Sequence, residues 1–166
     1  METKEFRNKV EANGIVTVDL LDYRPTEMAV VFDIKEGLYM GLIVKEKEFR
    51  SFLSEHDWEQ YQGKPVAILC SVDSIIPTWA YMAVAEKLSD VASHIEFTSP
   101  ELMDIRLWTE LIMQADFESL RGQKVVVRQS SKLAPQLYVA ITQVLKPLVK
   151  TLMYGEAGLP KVIYKA

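Results

Sequence analysis

The sequence has one cysteine, Cys70, and two histidines, His56 and His94, in 166 residues. A single thiol excludes an intrachain disulfide, and no CxxC is present to suggest a redox motif or a zinc knuckle. The histidines stand alone, without metal-ligand spacing, and read as surface residues rather than ligands. Positive charge is also in short supply. Lys and Arg number 19 against 23 Asp and Glu, for a net charge of −4. A general nucleic-acid binder needs clustered cations to release counterions, and an anionic membrane surface needs them too, so neither partner is expected. No apolar run approaches the roughly 20 residues of a spanning helix. The charged start, Met-Glu-Thr-Lys-Glu-Phe-Arg, lacks the apolar core of a secretory signal, which makes the cytosol the expected compartment. GxGxxG, P-loop, GxSxG and HExxH are all missing, so no motif names a reaction.

What is present is ordinary globular material: 49% apolar and 25% charged residues. A chain of this length buries roughly 70% of its unfolded surface and needs no metal or cross-link to fold. The expected organisation is one domain over 1–166. It divides into 1–56 (helix, strand, hairpin and helix), a first repeat over 57–98, a connecting helix over 99–115, and a second repeat with a tail over 116–166.

Residues 3–13 pattern as a short amphipathic helix, with Phe6 and Val10 on one face and Gly14 past its end. The alternation over 15–20 predicts a strand, and 22–26 a proline-containing loop. Two β-rich runs, 28–34 and 38–44, flank Lys35-Glu36-Gly37 and predict a hairpin. Phe49, Phe52 and Leu53 lie at helical spacing within a charged stretch over 45–56, which predicts a surface helix.

A repeat follows. Asp57-Trp58-Glu59-Gln60-Tyr61-Gln62-Gly63 matches Asp116-Phe117-Glu118-Ser119-Leu120-Arg121-Gly122 in spacing. Each copy runs into a strand (65–69 and 124–128), then a hydroxyl-rich loop with Pro77 or Pro135, then a helix, then a second β-rich piece (95–97 and 151–154). Tyr81 matches Tyr138 and Leu88 matches Leu145 once the loop is shortened twice. Agreement over some forty positions points to duplication of a βαβ unit with parallel strands. The first copy's helix is apolar nearly all round, which predicts burial on more than one side. The second copy's helix, over 134–150, carries Pro147, which costs a helix interior about 3 kcal/mol and predicts a kink or an end there. Ser99-Pro100-Glu101 reads as a cap followed by Pro at N1, opening a helix to about Met113. A last edge strand is expected over 161–164. The fold class is therefore α/β: internally duplicated βαβ units with an N-terminal antiparallel β-hairpin and a mixed sheet.

Candidate chemistry gathers at the loop from Cys70 to Tyr81, where a strand hands over to a helix. Ligands bind at that edge of open α/β sheets, and a helix N-terminus raises the thiolate fraction of a thiol. The plain alternative is that Cys70 is a small buried hydrophobe. Ser71, Asp73, Ser74 and Thr78 bring hydroxyls and a carboxylate, which suit either an anion or ordinary turn and capping bonds. Ser130, Ser131 and Lys132 are the second copy's equivalents. If the two loops face each other across a pseudo-twofold axis they form one composite pocket, with Cys70, Ser71, Asp73, Thr78, Trp79, Tyr81, Ser130, Ser131, Tyr138 and Glu156 as its candidate binding residues. Trp79 and Tyr81, two apart on a helix, cannot share a face. Asp116 and Glu118 have a capping explanation beside Gly122. No catalytic residue, metal site or cofactor is assigned.

Val30-Val31-Phe32-Asp33-Ile34-Lys35, Gly41-Leu42-Ile43-Val44-Lys45-Glu46-Lys47, His56-Asp57-Trp58 and Pro77-Thr78-Trp79-Ala80-Tyr81 together resemble the uncharacterised bacterial family called domain of unknown function 2480. The resemblance covers nearly the whole chain and is most specific from Pro77 to Tyr81. It implies no known activity. It does imply cysteines near position 130 and in the turn after Gly155-Glu156, which with Cys70 would make a thiolate site for zinc or an iron–sulfur cluster. It also implies a loose link to iron–sulfur assembly. This chain departs from that pattern with Ser130 and with Ala157-Gly158, so the implied site is lost or uses oxygen ligands. Two functions remain in view. One is a non-enzymatic accessory or binding protein in iron–sulfur or thiol metabolism, with an exposed apolar patch or homodimer surface near Trp58 or Trp108. The other is a small enzyme with the composite pocket.

Overall fold

The computed structural model describes residues 14–166 and, as backbone alone, residues 9–10. The expected helix over 3–13 lies mostly outside the described residues; the two that are described, Lys9–Val10, form a short strand, β1. The chain divides into two compact units: an outer one, residues up to Pro25 together with Ile105–Ala166, and a middle one, Thr26–Asp104. Both are α/β, and the outer unit's sheet is mixed.

In the outer unit, β2 (Ile15–Val18), β6 (Lys124–Arg128) and β7 (Thr151–Gly155) are parallel, in that spatial order. β1 and β8 (Lys161–Lys165) add antiparallel strands at the two edges. Strand alternation decides the core. Val16, Val18, Val125, Val127 and Leu152 all point to one face of the sheet. There they meet Leu137, Ala140, Ile141 and Leu145 of α4 (Pro135–Leu145) and Trp108 and Ile112 of α3 (Pro100–Gln114). The opposite face carries Val126, Met153 and Ala157. α4 begins with Pro at its first position and stops before Pro147, whose ring and missing N–H end it rather than kink it.

In the middle unit, β3 (Val30–Asp33), β4 (Pro65–Leu69) and β5 (His94–Phe97) form an all-parallel sheet with β4 central. α1 (Glu46–Glu55) buries Phe49 and Leu53 and exposes its charges, as the spacing requires. α2 (Thr78–Ser89) buries one stripe, Ala80, Val84 and Leu88, while Met82 is exposed. The expectation of burial on several sides is thus corrected, since apolar composition alone does not supply a second layer to pack against.

The hairpin expected over 28–44 is also corrected. β3 takes β4 as its partner, with Val30 opposite Val66. Asp33 then caps a 3₁₀ turn, Ile34–Gly37, by accepting the Lys35 N–H at 3.1 Å. Residues 38–44 fold over Met40 and Gly41, both left-handed at φ 52° and 69°, and keep one bridge, Tyr39 to Ile43. Gly41 therefore makes the tight turn. Gly37 is glycine for a different reason: a Cβ there would lie 2.6 Å from the Phe52 ring and 2.7 Å from the Phe49 ring.

Candidate functional site

The handover from β4 to α2 is held from outside the loop. Ser71 donates its amide to the Asp33 carboxylate at 3.1 Å, so Asp33 ties the ends of two neighbouring strands. Partial burial disfavours charge on Asp33. The hydrogen bonds from the Ser71 hydroxyl and amide and the Lys35 amide, together with the Lys35 charge, outweigh it and hold the carboxyl below its ordinary value. Cys70 is half-buried against the unit's core and donates its thiol to the Val72 carbonyl at 3.4 Å. Asp73 and Thr78 are exposed, and α2 starts from Pro77 with no side-chain cap, so the loop polar groups do not serve α2 as caps.

The two aromatics diverge, as their spacing requires. Trp79 meets Phe49 edge-on at 5.8 Å and lies under the Arg50 guanidinium at 5.2 Å. Tyr81 meets Phe97 edge-on at 5.1 Å. Burial, and then the neighbouring Cys70, push the Tyr81 phenol above its ordinary value. Beyond Cys70 the loop turns apolar and open. The Ser74 hydroxyl donates to the Leu42 carbonyl, fastening the Cys70 loop to the 39–43 turn. Ile75 is 95% exposed and Met40 78%, with Leu42 and Ile43 close to Met40 in sequence and also exposed.

In the outer unit, Tyr138 donates its hydroxyl to the Arg128 carbonyl at 3.1 Å and stands edge-on to Tyr154 at 5.5 Å. Burial pushes its phenol up. Ser130 accepts the Lys132 amide at 3.2 Å, Ser131 is exposed, and Glu156 lies exposed in the turn after β7. Arg128 reaches back to Asp19 at 2.8 Å, and Asp19 caps the 3₁₀ turn Leu20–Tyr23. A half-open, almost wholly apolar cavity of about 150 Å³ lies between α4 and the β7–β8 edge. Tyr138, Ile141, Thr142, Leu152, Tyr154 and Ile163 line it.

Several residues stand elsewhere than their sequence suggested. His56 is half-buried among the rings of Phe32, Phe52, Trp58 and Tyr61, with centroids 4.7–5.9 Å away, and shares a 3.3 Å hydrogen bond with the Tyr61 hydroxyl. His94 is exposed, as expected. Trp58 and Trp108 do not form an exposed patch. Trp58 stacks on Phe32 at 5.3 Å, and Trp108 is buried with its indole N–H on the Leu20 carbonyl at 2.9 Å. Asp116 accepts the Glu118 amide at 2.9 Å and Glu118 grips Arg121 with both oxygens, which is capping and pairing rather than paired-carboxylate chemistry. The roles of Asp19, Asp33 and Arg128 in joining separated segments have little local signal. The trace available was an Asp closing a β-rich run twice, in Val18-Asp19 and Phe32-Asp33.

The donor set does not fit a cysteine-ligated metal or cluster. Cys70 is the one thiol, Ser130 is engaged by a backbone amide, and Ala157 has no donor atom in its side chain. Among the described residues no group of three or more His, Cys, Asp and Glu is placed to hold a metal ion. No helix among them is long and apolar enough to cross a membrane.

These features define a two-unit α/β protein whose polar strand ends are occupied by structural hydrogen bonds and whose loops display apolar side chains. The chain belongs to the family described as protein of unknown function (DUF2480), whose model matches residues 4–166. No curated protein and no solved structure matches it.

Proposed function

We propose that the chain is a cytosolic, non-catalytic accessory protein that engages a protein partner of iron–sulfur or thiol metabolism through the apolar loops beyond Cys70. The observation that carries this reading is the set Met40, Leu42, Ile43 and Ile75, exposed on two loops fastened by the Ser74–Leu42 hydrogen bond. Loops that display large apolar groups gain no burial in the free chain, and a clustered display of that kind marks an interaction surface. Met40 also holds a left-handed backbone that costs a non-glycine residue about 1 kcal/mol, a strain typical of recognition loops. The triple variant Met40→Asp, Leu42→Asp, Ile75→Asp should keep the parent stability within about 1 kcal/mol, since these side chains lie outside the core. It should lose the iron–sulfur or thiol proteins that the parent enriches in an affinity comparison. Equal enrichment by both proteins would sink the reading. The competing reading, a small enzyme acting through Cys70, needs a reactive thiol. Rapid labelling of Cys70 by a chromogenic disulfide below neutral pH would favour it, and slow labelling favours the accessory role.

We also infer that the two units are copies of one fold, with the middle copy inserted in the outer one. Internal geometry supports the reading position by position. Gly63 and Gly122 are left-handed at φ 71° and 72°. Gly63 donates to the Val91 carbonyl at 2.8 Å, and Gly122 to that of Leu148 at 2.9 Å. Ser93 donates to Lys64, and Lys150 to Gln123, both at 2.9 Å. Asp33 and Asp19 each cap a 3₁₀ turn at the end of the strand that runs parallel to the central one. Tyr81 on Phe97 and Tyr138 on Tyr154 repeat one aromatic contact. The duplicated region thus extends upstream of 57–98 and 116–166 to include β3 and β2. The Ala29 amide donates to the Asp104 carboxylate at 2.7 Å, which closes the two ends of the middle unit together, as an inserted domain requires. Residues 26–104 produced alone should therefore unfold cooperatively with native helix content; a chain without cooperative unfolding would refute independent copies.

A further inference from the structure

We propose that the free edge of β8 accepts an added β-strand from a partner segment in which acidic residues flank apolar ones. The strand shares no residue with the loops proposed above, and its failure would leave that reading untouched.

Among the described residues β8 pairs on one side only, with β7, and is the last strand of its sheet. The outward N–H and C=O groups of an edge strand are a ready template for another extended chain. Natural sheets blunt such edges by keeping them short, polar or covered. β8 is five residues long, with a register shift at Ile163 and a lysine at each end, yet Val162 and Ile163 are 58% and 53% exposed. Those apolar groups gain burial when the side chains of an added strand pack beside them. Ile163 also rims the apolar cavity between α4 and β7, so an apolar side chain of the added strand finds a lined recess beside it. Strand addition supplies affinity through main-chain hydrogen bonds, and such a recess supplies selectivity.

Charge selects the occupant. In a chain of net charge −4, β8 begins and ends with exposed lysines, Lys161 and Lys165. Lys146 lies over the Tyr164 ring at 5.6 Å, and the Lys150 carbonyl accepts the Ala166 amide beside the end of the strand. A second copy paired antiparallel about Ile163 would set Lys161 opposite Lys165 at both ends, and like charges directly opposite destabilise a pair. Edge lysines protect against indiscriminate pairing by the same repulsion. A strand with carboxylates four residues apart turns that repulsion into attraction at both ends. The occupant is therefore an acidic–apolar segment of another protein.

The test uses the full chain and the synthetic peptide acetyl-Glu-Ile-Val-Thr-Glu-amide, with acetyl-Lys-Ile-Val-Thr-Lys-amide and a version of the acidic peptide with central proline as controls. Binding is read by fluorescence anisotropy at low and high salt, and its place by amide hydrogen exchange. The acidic peptide should bind, weaken with salt, and slow exchange in 161–165; the proline peptide, lacking a central N–H, should not. The double variant Lys161→Glu, Lys165→Glu keeps the strand, should lose about tenfold in affinity for the acidic peptide, and should come to prefer the basic one. The proposal is overturned by equal binding of the proline peptide, by an unchanged double variant, by protection confined to other segments, or by a wild-type dimer protected at β8.

Discussion

Phe49→Ala is expected to destabilise the middle unit by about 3–5 kcal/mol, the usual cost of emptying a fully buried aromatic site. Phe49 is entirely buried on α1. Its ring meets Phe52 at 6.1 Å and the edge of Trp79 at 5.8 Å, and it closes over the backbone of Gly37. Trp79 in turn carries Arg50, so one truncation loosens α1, the start of α2 and the turn after β3 together. Gly37→Ala tests the same contact from the other side. Its methyl would lie 2.6–2.8 Å from the two phenylalanine rings, and overpacking of this kind costs about 1–3 kcal/mol. In the Phe49→Ala background the methyl has part of the vacated space, so the two costs should fall short of additivity. Urea unfolding followed by circular dichroism measures all three variants. A Phe49→Ala loss below about 1 kcal/mol, or strict additivity, would contradict the packing described.

Trp108 is the buried aromatic of α3 in the outer unit, and Trp108→Ala should cost a similar amount, about 3–5 kcal/mol. It is a buried member of the outer core, but it also holds a polar bond that Phe49 lacks, its indole N–H on the Leu20 carbonyl at 2.9 Å. That bond ties α3 to the turn after β2. Trp108→Phe separates the two contributions. It retains most of the apolar contact and leaves the buried carbonyl without this donor, which costs about 1–3 kcal/mol. The same unfolding measurement should rank wild type above Trp108→Phe and Trp108→Phe above Trp108→Ala. If phenylalanine is as stable as tryptophan, the hydrogen bond contributes nothing and α3 is held by packing alone.

Much of this architecture was legible in local pattern. The strands at 65–69 and 124–128 and the helices opening at Thr78 and Pro100 follow from apolar periodicity and from proline at a first turn, and they stand where those rules place them. The end of α4 before Pro147 follows from one missing N–H. Other expectations went astray for a shared reason. The β-rich run over 38–44 has the residues of a strand, yet the 3₁₀ turn at Ile34–Gly37 and the left-handed Met40 and Gly41 fold it back on itself, while β3 pairs with β4 from thirty-odd residues away in sequence. α2 has the composition of a buried helix, but its burial depends on how many layers surround it. His56 looked solitary because the rings around it come from separate elements.

The Cys70 corner shows the division most clearly. Its residue types and its place between a strand and a helix are properties of the sequence, because periodicity, turn chemistry and spacing act over a few residues. That Ser71 is held by Asp33, that Ser74 fastens the loop to Leu42, and that the apolar side chains left over are Met40, Leu42 and Ile75 rather than a tryptophan, were decided by tertiary structure. Those contacts join segments that are more than thirty positions apart in the chain, and only folding sets which polar groups find partners and which apolar groups are left facing water.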